Sequence, residues 1–319
     1  MEQSAAMSKK PATVKKRRRI FKKDDIPLYL MASPAVIYLF VFNYLPMVGL
    51  LIAFQNYNNN LGVFGSPFIG MKNFEFLFST TDAYIITRNT VLYNLVFIVF
   101  NMSLALALSL MMSMLRSRKA GKVIQTVYML PYFLSYAVIN IVLYAFLDRS
   151  NGLVNALMGS MGLGDKTNWY NQMALWPPLL VFINAWRGVG YQTVLFLAVI
   201  SGISMELYEA AMLDGASKLQ QARYVTLPQL RFIMGISIIM AMENIFRGDF
   251  GLFYVVTRNT GRIYPVTDVI DTYIYRSLTM LSNVGMSAAA GLYQSVVGLI
   301  MVLIVNRIVT RIDPESAMF

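Results

Sequence analysis

The chain has 319 residues, 57% hydrophobic and only 13% charged, with a formal net charge of +11. Charged residues make up about a quarter of an ordinary soluble domain, so this composition excludes such a fold and makes a bilayer the expected solvent. Cys and His are both absent, which removes disulfides, zinc and haem ligation, thiol nucleophiles and every imidazole-based acid/base scheme. No metal site, no cofactor and no catalytic residue is expected in the chain itself.

In chain order, residues 1–27 carry nine basic side chains, densest at Lys15, Lys16, Arg17, Arg18 and Arg19. This segment reads as a solvated cytoplasmic tail rather than a nucleic-acid arm, because the positive charge does not line a soluble face. The apolar run that follows is far longer than the 7–15 residues of a signal peptide and lacks a small-residue cleavage site. It is expected to remain as a first membrane span.

A helix needs about 20 apolar residues to cross the hydrocarbon core. Six segments meet this, near 28–54, 91–114, 123–147, 175–201, 229–256 and 284–309, so an all-α membrane protein of six transmembrane helices is predicted over 28–310, with a tail at 311–319. In the first connecting loop, Phe64, Phe68, Phe74 and Phe76 supply apolar surface for folding over the membrane boundary. Trp169, Tyr170 and Trp176 cluster at another boundary, as interfacial aromatics do. Pro177 and Pro178 suit a first helical turn, where the missing N–H costs nothing. With the N-terminus inside, eighteen of the Lys and Arg residues fall on the cytoplasmic side and seven on the outer side, in accord with the positive-inside rule.

The loop 203–228 is predicted as two short helices joined by a sharp bend. Ser204 is a good N-cap, Glu206 and Glu209 complement the helix dipole, and Asp214 with Gly215 ends the helix. Ser217 and Gln220 have capping-box spacing, and Pro228 closes the unit. Ala210, Ala211, Leu207, Met212 and Leu213 form an apolar knob in a loop facing water, which implies a partner.

The spacing Glu209-Ala210-Ala211, Gly215-Ala216 and Val225-Thr226-Leu227-Pro228 resembles the EAA loop of ABC-importer permeases, with Val225 at the isoleucine position. A longer resemblance to LplB-type carbohydrate permeases runs through Ala53-Phe54-Gln55-Asn56-Tyr57, Asn73-Phe74, Asn89-Thr90 and Leu130-Pro131. It continues through Asp268-Val269-Ile270-Asp271-Thr272-Tyr273 and Gln294-Ser295-Val296-Val297-Gly298. The resemblance implies a type I ABC importer permease fold in a bacterial cytoplasmic membrane, both termini inside. In such a chain the 203–228 loop docks on a cytoplasmic ATPase: Glu209 and Gly215 fix its shape, and Ala210, Ala211, Met212, Leu213, Ala216 and Pro228 complete it. It also implies a second permease, two ATPase subunits that bind ATP and Mg, an external solute-binding protein and an oligosaccharide substrate. No G-x4-G-K-[ST] string occurs, so ATP binding is assigned to the partner.

Polar side chains at membrane depth face a bundle interior or a water-filled path. The run Asn184 to Gln192 mixes amides, aromatics and glycines. Asn184, Trp186, Tyr191 and Gln192 are therefore candidate path residues, because amides bond sugar hydroxyls and rings cover sugar C–H faces. The plainer reading is packing through Gly188 and Gly190 with polar glue between helices. In the fifth span, Glu243 and Arg247 are four apart and expected to form an internal ion pair; substrate contact by Glu243 or Asn244 is the alternative. The rival functions are an importer of a non-sugar solute, an ion-coupled secondary transporter using Glu243 and Asp249, and an intramembrane enzyme using the same pair. The docking loop has no use in a secondary transporter, and an enzyme would lack His, Cys or a metal-like cluster and would have both carboxylates close to arginines.

Overall fold

The computed structural model describes residues 26–115, 117–163 and 166–312. The predicted tails, 1–27 and 311–319, fall almost wholly outside them. The chain divides into residues 1–49 and 50–319. Among the described residues the regular structure is helical, with one isolated bridge between Gln55 and Phe68.

In the first unit, α1 (Ile26–Leu39) is followed by a wide turn at Phe40–Tyr44. It belongs to an apolar stretch, Ile26–Phe54, long enough to cross a bilayer. No side chain of α1 is buried.

In the second unit, α2 (Thr81–Ser113) and α11 (Val284–Ile312) are the long helices. α2 starts ten residues before the predicted span because the Thr80 hydroxyl accepts from the Ala83 N–H at 3.2 Å, and this N-cap lies beyond the apolar run. The remaining spans are bent pairs, so among the described residues the total is three spans by single helices and up to six if each bent pair counts as one.

Two of the predicted straight helices are corrected here. The segment 123–147 is not continuous: α3 (Arg118–Met129) and α4 (Tyr136–Leu147) belong to segments that meet at 95°. Pro131 lacks an N–H for a continuing helix, and Ser135 starts a new one by accepting from the Val138 N–H at 3.3 Å. The segment 229–256 is also broken. Residues Lys218–Gln229, which include α8 (Lys218–Gln221), bend by 57° into α9 (Arg231–Glu243). α9 stops at Glu243, and an irregular stretch precedes a wide π-helical turn at Gly251–Val256.

Between these pieces lie α5 (Leu153–Ser160), α6 (Trp176–Ser201), α7 (Met205–Leu213) and, before α11, α10 (Ile270–Thr279). Pro177 and Pro178 sit in the first turn of α6 as expected. Trp176 and Tyr170, expected at an interface, are instead buried in the main core with Tyr93, Phe97, Leu180, Ile183 and Phe253. The Trp176 indole donates to the Trp169 carbonyl at 3.3 Å, so its polar edge is satisfied without water. Of the four loop phenylalanines, Phe64 and Phe68 are exposed while Phe74 and Phe76 are buried.

A second core joins α2 to α6 through Met102, Ala105, Ala185, Val189 and Phe196. Small residues at such contacts let helix backbones approach, the main source of helix association where lipid is as apolar as the side chains.

Candidate functional site: a docking loop and a polar junction of broken helices

α7 leaves α6 at 74° and ends in a Schellman turn. The Gly215 N–H bonds the Met212 carbonyl at 3.0 Å, and the Ala216 N–H bonds the Ala211 carbonyl at 2.9 Å. Gly215 has φ +79°, a conformation that costs a side-chain-bearing residue about 1–2 kcal/mol. α8 then opens with the predicted capping box. The Ser217 N–H donates to Gln220 Oε1 at 2.7 Å, and the Gln220 N–H donates to Ser217 Oγ at 3.4 Å. The Tyr208 and Thr226 hydroxyls meet at 2.9 Å, tying α7 to the turn Ala222–Thr226 that follows α8, and Gln221 donates to the Ala216 carbonyl at 2.9 Å, tying α8 to the bend. Glu209, Ala210, Met212 and Gly215 are exposed, Leu213 is 89% exposed, and Ala211, Ala216 and Pro228 are half-buried. A rigid frame thus presents apolar side chains outward.

The second feature forms where the broken helices meet. Arg187 of α6 donates through Nε to the Leu134 carbonyl at 3.1 Å and through Nη1 to the Tyr136 hydroxyl at 3.4 Å. Its guanidinium lies 4.4 Å from the Tyr136 ring centre. Tyr136 in turn donates to the Asp249 carboxylate. Tyr191 stacks on Tyr132 with centroids 5.2 Å apart. The break at Pro131 therefore supplies a carbonyl and two phenols to α6, and the break after α9 supplies a carboxylate. Glycines allow the approach. A Cβ at Gly190 would lie 2.4 Å from the Tyr128 carbonyl oxygen, and one at Gly251 would lie 2.2 Å from the Tyr136 ring.

The candidate path residues separate. Asn184 accepts from Asn101 Nδ2 at 2.8 Å, which ties α6 to α2 as the plainer packing reading expects. Tyr191 joins the junction. A helix turns by about 100° per residue, so Trp186 lies on the far side of α6 from Asn184, and it is 43% exposed. Gln192 is half-buried, while Glu243 and Asn244 are exposed. The expected Glu243–Arg247 ion pair is not formed. α9 ends at Glu243, so Arg247 lies beyond the helix and the four-residue alignment is lost. Among the described residues the ion pair is Arg276 with Asp268.

The backbone groups exposed by that break are bonded from three other helices. Asn94 of α2 donates to the carbonyls of Ile245 and Arg247, both at 2.9 Å. Gln294 of α11 donates to the Phe246 carbonyl. Asp271 of α10 accepts from the Gly248 N–H and, at 2.9 Å, from Gln294. Irregular backbone at membrane depth requires such internal partners. The signals available in the sequence were Pro131 and Gly248; nothing in it pairs Asp271 or Gln294 with residues some 23 to 48 positions away.

A family model described as the binding-protein-dependent transport system inner membrane component matches residues 105–314. The polygalacturonan/rhamnogalacturonan transport system permease protein YteP of Bacillus subtilis (strain 168) is 32% identical over 304 residues, covering 94% of each chain. The protein LplB of the same organism is 31% identical over 294 residues, 92% of each chain. Among solved structures, a chain of a bacterial ABC transporter involved in the import of the acidic polysaccharide alginate superimposes with a TM-score of 0.82 at 30% identity, covering 91% of this chain and 97% of that one. A chain of the alginate ABC transporter in complex with an alginate pentasaccharide-bound periplasmic protein gives 0.81 at 29% identity, covering 91% and 96%.

Proposed function

The chain belongs to the binding-protein-dependent transport system inner membrane components, and on that premise we propose that it forms half of the channel of an oligosaccharide importer powered by a separate ATPase. The observation that carries the coupling half of this reading is the α7–α8 unit. A frame fixed by the Schellman turn, the capping box and the Tyr208–Thr226 contact offers Met212 and Leu213 to a partner. Such a knob transmits motion because it is rigid within itself and follows α6 after only the short bend at residues 202–204.

For the substrate, an oligosaccharide is supported by the relatives, one named for polygalacturonan/rhamnogalacturonan transport and one involved in the import of the acidic polysaccharide alginate. The Arg187–Tyr136–Tyr132–Tyr191 junction suits it chemically, with charged and phenolic donors beside stacked rings. A second permease subunit, two ATPase subunits, an external binding protein, and a multi-pass placement with both termini in the cytoplasm complete the reading. ATP and Mg belong to the ATPase chains.

The test uses the assembled transporter in proteoliposomes with its binding protein loaded with galacturonide oligosaccharide. Glu209→Lys and Gly215→Asp are expected to lose the stimulation of ATP hydrolysis by loaded binding protein, with the chain still inserted. Full stimulation in both variants refutes the docking role.

A further inference from the structure

Away from the loop and the junction, α2 and the start of α6 enclose a groove of about 590 Å³. One wall is the ridge Arg88, Leu92, Val96 and Phe100, spaced four apart along α2; Pro178 and Phe182 stand opposite. Leu92, Val96, Phe100 and Phe182 are all exposed. From Arg88 to Phe100 the ridge rises about 18 Å, close to the 15 Å thickness of one hydrocarbon leaflet.

The cation stands at one end of this apolar ridge. Arg88 bonds neutral oxygens only, Asn89 Oδ1 at 2.9 Å and the Pro265 carbonyl at 3.0 Å, and among the described residues it has no carboxylate within ion-pair distance. Its contact with Pro265 lies at the end of α2 where that helix begins. A single positive charge above an apolar slot one leaflet deep is complementary to one kind of molecule, an anion carrying an acyl chain. We propose that the groove binds one anionic glycerophospholipid, phosphate on Arg88 and chain along Leu92, Val96 and Phe100. A second copy's first span fits less well, since Ile26–Phe54 contains no Asp or Glu to meet Arg88.

The experiment is native mass spectrometry of the delipidated, assembled transporter titrated with phosphatidylglycerol or phosphatidylcholine. Phosphatidylglycerol is expected to be retained in preference. Retention should weaken about fivefold in Arg88→Gln, by the loss of one interfacial charge, and be lost in Val96→Trp, which fills the groove. Lys72→Gln, a basic residue outside the groove, is expected to bind as the parent does. Equal retention of the two lipids, or parent-like phosphatidylglycerol binding in both groove variants, overturns the proposal. The chain has no Cys, so Val96→Cys introduces a unique thiol. Efficient bifunctional cross-linking from this thiol to a neighbouring protein subunit overturns the proposal, and its absence alongside retained phosphatidylglycerol supports the lipid.

Discussion

The Cα of Gly190 lies against the main chain of Tyr128, so close that a Cβ would come within 2.4 Å of the carbonyl oxygen. Backbone cannot yield as a flexible side chain can, so Gly190→Ala forces α3 away from α6 and strains the junction that holds Arg187 and Tyr136. A loss of about 1–3 kcal/mol is expected. It would be read as lower thermal stability of the purified transporter. Gly188→Ala, where nothing lies within reach of a Cβ, is the matched control and should leave stability unchanged.

At Gly215 a Cβ would also meet open space, so any substitution acts through its φ of +79° alone. Gly215→Ala is expected to cost about 1 kcal/mol locally. Because the loop is exposed, the deficit should fall on attachment of the ATPase rather than on insertion of the chain. Co-purification of the ATPase with the variant permease measures this.

Arg187 is the donor centre of the junction. Removing a charged donor costs about 1.5–3 kcal/mol, which is on the order of tenfold or more in a binding constant. Arg187→Gln should therefore reduce oligosaccharide uptake by about that factor while basal ATP hydrolysis persists. Tyr191→Ala should act in the same direction, and the two combined should fall short of additivity because they share the Tyr132–Tyr136 surface.

Asn184→Ala is expected to behave differently. It removes the acceptor of Asn101 across α2 and α6, so the yield of assembled transporter should fall, with uptake per assembled complex preserved. A drop in uptake at normal yield would return Asn184 to the path.

Asp271 accepts the Gly248 N–H inside the break of the fifth span. Asp271→Leu leaves that donor buried without a partner, at a cost of about 1–3 kcal/mol. Asp271→Asn keeps an acceptor and should be tolerated. Faster proteolysis or amide exchange at residues 244–250 in the Leu variant alone would verify the clamp.

The sequence by itself determined the membrane character, the family and the loop. Composition fixed the solvent, and the spacing from Glu209 to Pro228, with local caps at Ser204, Ser217 and Gln220, was sufficient to place a helix–turn–helix, because each of those interactions closes within a few residues. Tertiary structure decided what the polar residues within the spans do. Glu243 and Arg247 read as an ion pair only while α9 is assumed to continue; the chain breaks there because Asn94, Asp271 and Gln294 satisfy its freed backbone groups from three other helices. Likewise Tyr132 and Tyr136 joined Arg187 through a 95° bend whose partner surfaces lie some fifty residues apart. Periodicity measures apolar length along one segment, whereas breaks at membrane depth are stabilised by hydrogen bonds from distant segments, and those become visible only when the helices are packed.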